Sequence, residues 1–204
     1  VFSRKLAIKI GLFDVSLSTL EDWEFWIKLS RYCDFKHLKV PTVQVNWRTD
    51  GTTMTSSLKQ SFKKSRQIIY QRYREEIESI PNRSAILDEF DTIWSNDPTG
   101  CTKHTDGLIS IVILTLNQLR YTKECVQSIQ KHTPENHEII FIDNGSTDGT
   151  VKWLKTQCKK HPHYQLIINK MNKGFAVGCN QGMEAASGEY ILLLNNDVIV
   201  TENW

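Results

Sequence analysis

No two cysteines in this chain stand close enough in sequence to act together: Cys33, Cys101, Cys125, Cys158 and Cys179 form no C-x-x-C pair. That spacing signals neither a zinc site nor a disulfide framework, and the five are read as reduced thiols. Long apolar runs are missing too. The longest, residues 108–116 and 190–194, fall far short of the ~20 residues that a membrane-crossing helix needs. Charge of one sign is also scarce: 25 Lys and Arg face 23 Asp and Glu, and a net +2 supplies no long-range field that would draw nucleic acid. Neither G-x-G-x-x-G nor a G-K-[ST] loop occurs, which counts against a dinucleotide fold and a Walker-type phosphate cradle. A nucleotide bound here must be held by side chains and a metal. The first residues include no initiator Met and no signal-peptide core, so the chain reads as cut from something longer. The expected location is the cytoplasm, peripheral to the inner face of the membrane.

What is present divides by pattern into three segments. Residues 1–56 hold a short apolar helix near 20–33 and β-type residues at 40–47, a small α+β piece. Residues 57–107 form a helical connector and linker. There Leu58, Phe62, Ile69, Tyr73, Ile77 and Ile80 recur at helical steps up to Pro81, and Leu87, Phe90 and Trp94 mark a second helix. The connector's basic residues, among them Lys63, Lys64, Arg66, Arg72 and Arg74, are read as a solvated helix face. From Leu108 onward strands near 108–115, 137–143, 164–169 and 189–194 alternate with helices near 119–131, 149–159 and 174–187. This alternation predicts an α/β fold with a partial doubly wound parallel sheet and right-handed crossovers. Ligands of such sheets sit outside the carboxyl ends of the strands.

Each strand end here is polar. Thr115 and Asn117 follow the first strand. After the second come Asp143, Asn144, Gly145, Ser146, Thr147, Asp148, Gly149 and Thr150, an acid and a glycine turn followed by helix-capping residues. Such a strand–turn–helix is common to α/β proteins. Gly174, Gly178 and Gly182 fall four apart, so on a helix they form one face without side chains. Each costs about 1 kcal/mol relative to alanine in a helix interior, so a close approach is expected, either of the sheet or of a ligand's phosphates. Asn180 points near the same region. The fourth strand ends in Asn195, Asn196 and Asp197, oxygen donors of the kind hard cations prefer.

Taken together and in this order, Ser-Ile-Val-Ile-Leu-Thr-Leu-Asn, Asp-Asn-Gly-Ser-Thr-Asp-Gly-Thr, Asn-Lys-Gly-Phe-Ala with Asn180, and Leu-Asn-Asn-Asp197 closely resemble the donor half of family 2 glycosyltransferases of the GT-A fold. The resemblance implies that residues 108–204 bind a nucleotide-sugar donor. Thr115, Asn117 and Asp143 would line the nucleoside pocket, with Gly174, Asn180 and Asn195 in the same site. Asp197 would be the aspartate of the D-x-D motif that holds a divalent cation, Mn or Mg, on the diphosphate. Two departures stand out: Asn195 replaces the first aspartate of many members, and Cys179 replaces an arginine.

Upstream, Gly11 to Asp14 and then Leu20, Glu21, Asp22, Trp23, Glu24, Phe25 and Trp26 look like the acceptor-side motif of the same family, which makes Asp22 the catalytic base. Ser18, Thr19, Leu20 and Glu21 also spell a capping box, so Glu21 is assigned to the cap. Where members often carry Arg-x-His, this chain has Arg48, Thr49 and Asp50. The motif order is inverted, since Asp22 precedes Asp197. The expectation is therefore the tail of one transferase domain (1–56), a connector (57–107) and the head of a second (108–204), in separate lobes and inactive in isolation. The parent enzyme would transfer a sugar with inversion to a glycan or lipid-linked acceptor in polysaccharide biosynthesis, its partners being the remaining halves of the flanking domains. The alternative is a non-catalytic nucleotide-sugar-binding or scaffolding module.

Overall fold

The computed structural model describes residues 1–35, 43–45, 59–78, 107–202 and 204. From residue 1 the chain forms β1 (Phe2–Ser3), α1 (Arg4–Lys9), α2 (Glu21–Ser30), β2 (Val43–Val45), α3 (Lys59–Arg72) and α4 (Arg74–Glu78). It continues through β3 (Ile109–Thr115), α5 (Leu119–His132), β4 (His137–Asp143), α6 (Thr150–Lys160), β5 (Tyr164–Ile168), α7 (Phe175–Ala185), β6 (Tyr190–Asn195) and β7 (Val198–Val200). The second connector helix, the linker and the Arg48–Asp50 turn expected from the sequence lie outside the described residues.

The strands assemble in the order β1-β6-β3-β4-β5, with β3, β4, β5 and β6 parallel and β1 antiparallel to β6. Strand order reverses between β3 and β6, the crevice where sheets of this kind take their ligands. Near-continuous apolar strands are what two covered faces require. One face buries Val112, Ile140, Ile142 and Ile191 beneath Ala176, Cys179 and Met183 of α7. The other buries Ile111, Ile113, Ile139 and Phe141 beneath Cys125, Val126 and Ile129 of α5 and Leu154 of α6. A Cβ at Gly178 would overlap Leu114, and one at Gly182 would overlap Val112. The glycine face thus serves helix–sheet packing, while Gly174 caps the helix start and faces open space.

The expectation of separate lobes is overturned. Phe2 and Ser3 pair with Ile191 and Tyr190, and Val43–Val45 pairs antiparallel with Val198–Val200. Ala7, Phe13, Phe25 and Leu29 join the same core as α7 and the sheet. Phe13 stacks on Phe25 at 4.5 Å and meets Phe175 edge-on at 5.7 Å. The physical reason is that β6 would otherwise be an open edge and α7 a bare apolar flank, and the N-terminal segment covers both.

The connector is tied to the same body. Leu17, Ile69 and Tyr73 form a small core. Arg72 reaches Asp14 at 2.8 Å and Glu24 at 3.0 Å, and the Tyr73 hydroxyl donates to Glu24 at 2.7 Å. Burial, together with Glu24, pushes the Tyr73 phenol up to about 12. The single helix expected over 57–80 is interrupted at this tyrosine. Lys64, Arg66 and Arg74 remain exposed, as a solvated face requires, whereas Arg72 is an ion-pair hub.

At the opposite, amino end of the sheet, Glu138 is buried and accepts from Ser110 Oγ at 2.6 Å and from the Ser187 amide at 2.7 Å. Burial pushes its carboxyl up, but the Ser110, Ser187 and Gly188 hydrogen bonds outweigh it and hold the group below its ordinary 4.5. A folded value below the unfolded one gives stability that is present above that unfolded value and lost as pH falls through the folded value. Glu138→Gln is therefore expected to lower Tm at neutral pH by a few degrees, with the gap to wild type closing below about pH 4. Thermal melts across that range check it, and a constant gap would remove the carboxylate's role.

Candidate functional site

At the carboxyl edge, parallel register sets Thr115 opposite Asp143 and Leu114 opposite Asn195. Asp143 is fully buried and its carboxylate is hydrogen-bonded by three donors: Thr115 Oγ1 at 3.0 Å, the Gly145 amide at 3.0 Å and the Ser146 amide at 2.8 Å. Gly145 has φ +89°, and any Cβ there would press on the Met171 backbone, so the turn demands glycine. Asn117, left-handed at φ 55°, donates its amide to Ser146 Oγ at 2.6 Å and accepts from the Thr147 amide at 2.8 Å. The loops after β3 and β4 are thereby interlocked. Thr115, Asn117 and Asp143 are brought together as expected, though Asp143 is occupied in shaping the turn.

Other residues of this edge hold its loops in place. Asp148 accepts from the Leu119 amide at 2.9 Å and the Thr150 amide at 3.1 Å, capping α5 and α6 at once. Burial raises its carboxyl, but hydrogen bonds from Thr150 and Leu119 outweigh this and leave it below the usual range. A chain of carboxamides then ties the β5 end to α7. Asn169 Nδ2 donates to Asn144 Oδ1 at 2.9 Å and to Gln181 Oε1 at 2.8 Å, and Asn144 Nδ2 donates to the Gly174 carbonyl at 3.2 Å. The only local signal was the run of asparagines at strand ends.

At the end of β6, Asn195 is exposed and its carbonyl accepts from Cys125 Sγ at 3.6 Å, while Asn196 donates to Thr122 Oγ1 at 3.0 Å. Burial, aided by the nearby charge of Asp197, pushes the Cys125 thiol up to about 12. Burial of this kind leaves a thiol unreactive. Among the described residues no three His, Cys, Asp or Glu side chains come together as a metal cage.

Asn180 ties α7 to the N-terminal segment. Its Oδ1 accepts from the Phe13 amide at 2.9 Å and its Nδ2 donates to the Phe13 carbonyl at 3.0 Å, clamping the N-terminal segment to α7. Cys179 is buried in the core. On α2, Asp22 is exposed and accepts from the Trp23 amide at 2.9 Å. The expected capping box of Ser18 and Glu21 does not form: α2 starts at Glu21, and Leu20 stands at the cap with φ 60° and no side-chain bond, while Thr19 donates its hydroxyl to Ser65 at 3.1 Å.

Residues 110–204 match the model of the family described as Glycosyl transferase family 2. An uncharacterized glycosyltransferase of Haemophilus influenzae is 36% identical over 97 residues, 48% of this chain and 30% of that protein. An uncharacterized glycosyltransferase of Rickettsia bellii is 24% identical over 208 residues, covering 96% of this chain and again 30% of its own length. Among solved structures, the mannosyltransferase PcManGT from Pyrobaculum calidifontis, in complex with GDP-Man and Mn2+, gives a TM-score of 0.46 at 20% identity, over 55% of this chain and 34% of that one. The chain thus spans about 30% of the length of the first two relatives. Over residues 110–204 the chain is thus similar to members of glycosyl transferase family 2.

Proposed function

We propose that the chain binds a nucleoside-diphosphate sugar at the carboxyl edge of β3, β4 and β6 and serves its inverting transfer to a hydroxyl acceptor. The observation that carries this reading is the parallel register that sets the Thr115 and Asp143 ledge beside the end of β6 at Asn195, two residues before Asp197. The interlocked loops are a pre-organised platform for a nucleoside. Asp197, with carboxamide oxygens beside it, suits a hard cation that takes one protein carboxylate and fills its remaining positions from a diphosphate. Such an ion, Mn or Mg, would neutralise charge on the leaving diphosphate. Asp22 would accept the proton of the acceptor hydroxyl as its oxygen bonds to the anomeric carbon and the bond to the diphosphate breaks.

The Asn180 clamp and the β1–β6 pairing favour a composite arrangement, in which the segment bearing Asp22 completes the donor half of the same molecule. This remains compatible with a parent polypeptide in which residues 1–56 end one transferase domain, 57–107 connect, and 108–204 begin a second. The Rickettsia relative supports that order, since it aligns with nearly all of this chain inside a minor part of its own length.

Calorimetry tests the donor site. UDP or GDP is expected to bind with manganese and to lose at least about tenfold in affinity in EDTA or in Asp197→Ala, a loss of about 1.4 kcal/mol or more. Equal binding with and without the metal would remove Asp197 from this role.

A further inference from the structure

The near balance of charge over the whole chain conceals a local excess. Between Gly149 and Met183 the sequence carries Lys152, Lys155, Lys159, Lys160, Lys170 and Lys173 and not one Asp or Glu. All six lysines are exposed. Three of them share one face of α6, since steps of three and four residues keep Lys152, Lys155 and Lys159 within about 60° of one another around the helix. They wall an open groove of about 570 Å³, with Thr156 among them and Ser146 and Thr147 at its head. Among the described residues none of the three has a carboxylate partner. Asp148, the acid at the head of this helix, is taken up by the Leu119 and Thr150 amides. Like charges three and four residues apart disfavour a helix slightly, so the fold itself does not account for them.

Their spacing decides which counter-charge fits. At 1.5 Å per residue, Lys159 stands about 10 Å along the helix from Lys152, too far for one phosphate to meet all three. The groove therefore suits an array of anions. Grooves that hold nucleic acid strands interleave their cations with aromatic rings, and no ring lines this one. An apolar side chain adjoins it instead. Met171 is 70% exposed, and its backbone lies so close to Gly145, the residue before Ser146, that an added Cβ would come within 3.1 Å of it. Lysines around an exposed apolar side chain compose a surface that rests on lipid headgroups.

We propose that the lysine face of α6 docks the protein on an anionic membrane surface, with Lys152, Lys155 and Lys159 against the headgroup phosphates. Gly145 and Ser146 join this face to the Thr115 and Asp143 ledge, so a docked chain holds the carboxyl edge of its sheet close to the membrane. The inference does not depend on the donor-site reading.

Cosedimentation of the full chain with vesicles of phosphatidylcholine, alone or mixed with phosphatidylglycerol, tests it, beside thermal melts and calorimetry with UDP and manganese. Wild type is expected to bind the mixed vesicles and not the neutral ones, and to be released as salt rises from about 0.1 to about 0.5 M and the screening length shortens. Each lysine near such a surface is worth about fivefold in affinity, so the triple variant Lys152→Gln, Lys155→Gln, Lys159→Gln should bind about 100-fold more weakly. Its Tm and its UDP affinity should match wild type, because the three side chains are exposed and lie outside the donor ledge. Equal binding to neutral vesicles, no binding to the mixed ones, or an undiminished triple variant would overturn the proposal. So would wild type that binds duplex DNA but no vesicle, or a triple variant that loses UDP, since the lysines would then serve nucleic acid or the nucleotide's own phosphates.

Discussion

Asp22→Asn is expected to lower product formation from a nucleotide sugar by about 10²–10⁴-fold, the usual worth of a positioned general base. Asparagine keeps the shape and still accepts from the Trp23 amide, so donor binding and Tm should stay near wild type. Because Asp22 is solvent-exposed, loss of activity through misfolding is not expected. Transfer assays with the acceptor in excess, paired with donor calorimetry, separate chemistry from binding. Undiminished transfer in the variant would place the base elsewhere, and transfer by the unaltered chain that vanishes in Asp22→Asn would establish that both ends of the sequence serve one site.

Gly182→Val should be the most damaging single change in the core. A Cβ at this position already overlaps Val112, whose β-branched side chain has one comfortable rotamer and little room to turn away. Overpacking of a fitted core costs about 1–3 kcal/mol, and the added methyls put this substitution near the upper figure, a fall in Tm of about 6–12 °C. Gly178→Ala is the control, because the atom it meets is the far end of Leu114, which can rotate, and helix propensity returns about 1 kcal/mol. Equal Tm values for wild type and Gly182→Val would mean that α7 does not sit on the sheet as described.

These contrasts show where the sequence was readable. The strands at Ile109–Thr115 and His137–Asp143 and the helices between them follow from unbroken apolar runs and amphipathic spacing, signals that survive in any window of the chain. The strand-end ledge was readable for the same reason, since Thr115, Asn117 and Asp143 lie just past those runs. What escaped was decided far away in sequence. Phe2 and Ser3 are too short a strand to show a period and become one only against β6. The capping box of Ser18 and Glu21 was plausible locally, yet α2 starts at Glu21 itself, behind Leu20, while Thr19 bonds Ser65, 46 positions on. The bond between Asn180 and Phe13, 167 positions earlier, has no local signal at all.

That last separation has a consequence in time. A ribosome adds about 5–20 residues per second, so roughly 10–30 s pass between the emergence of Phe13 and that of its partner on α7. Through that interval Phe2, Phe13 and Phe25 have no sheet to cover, and nascent aromatic surface of this kind is what chaperones hold. Closure of so long a loop is slow compared with helix pairing, so β1 is expected to be the last strand to join a sheet whose other members are already folded.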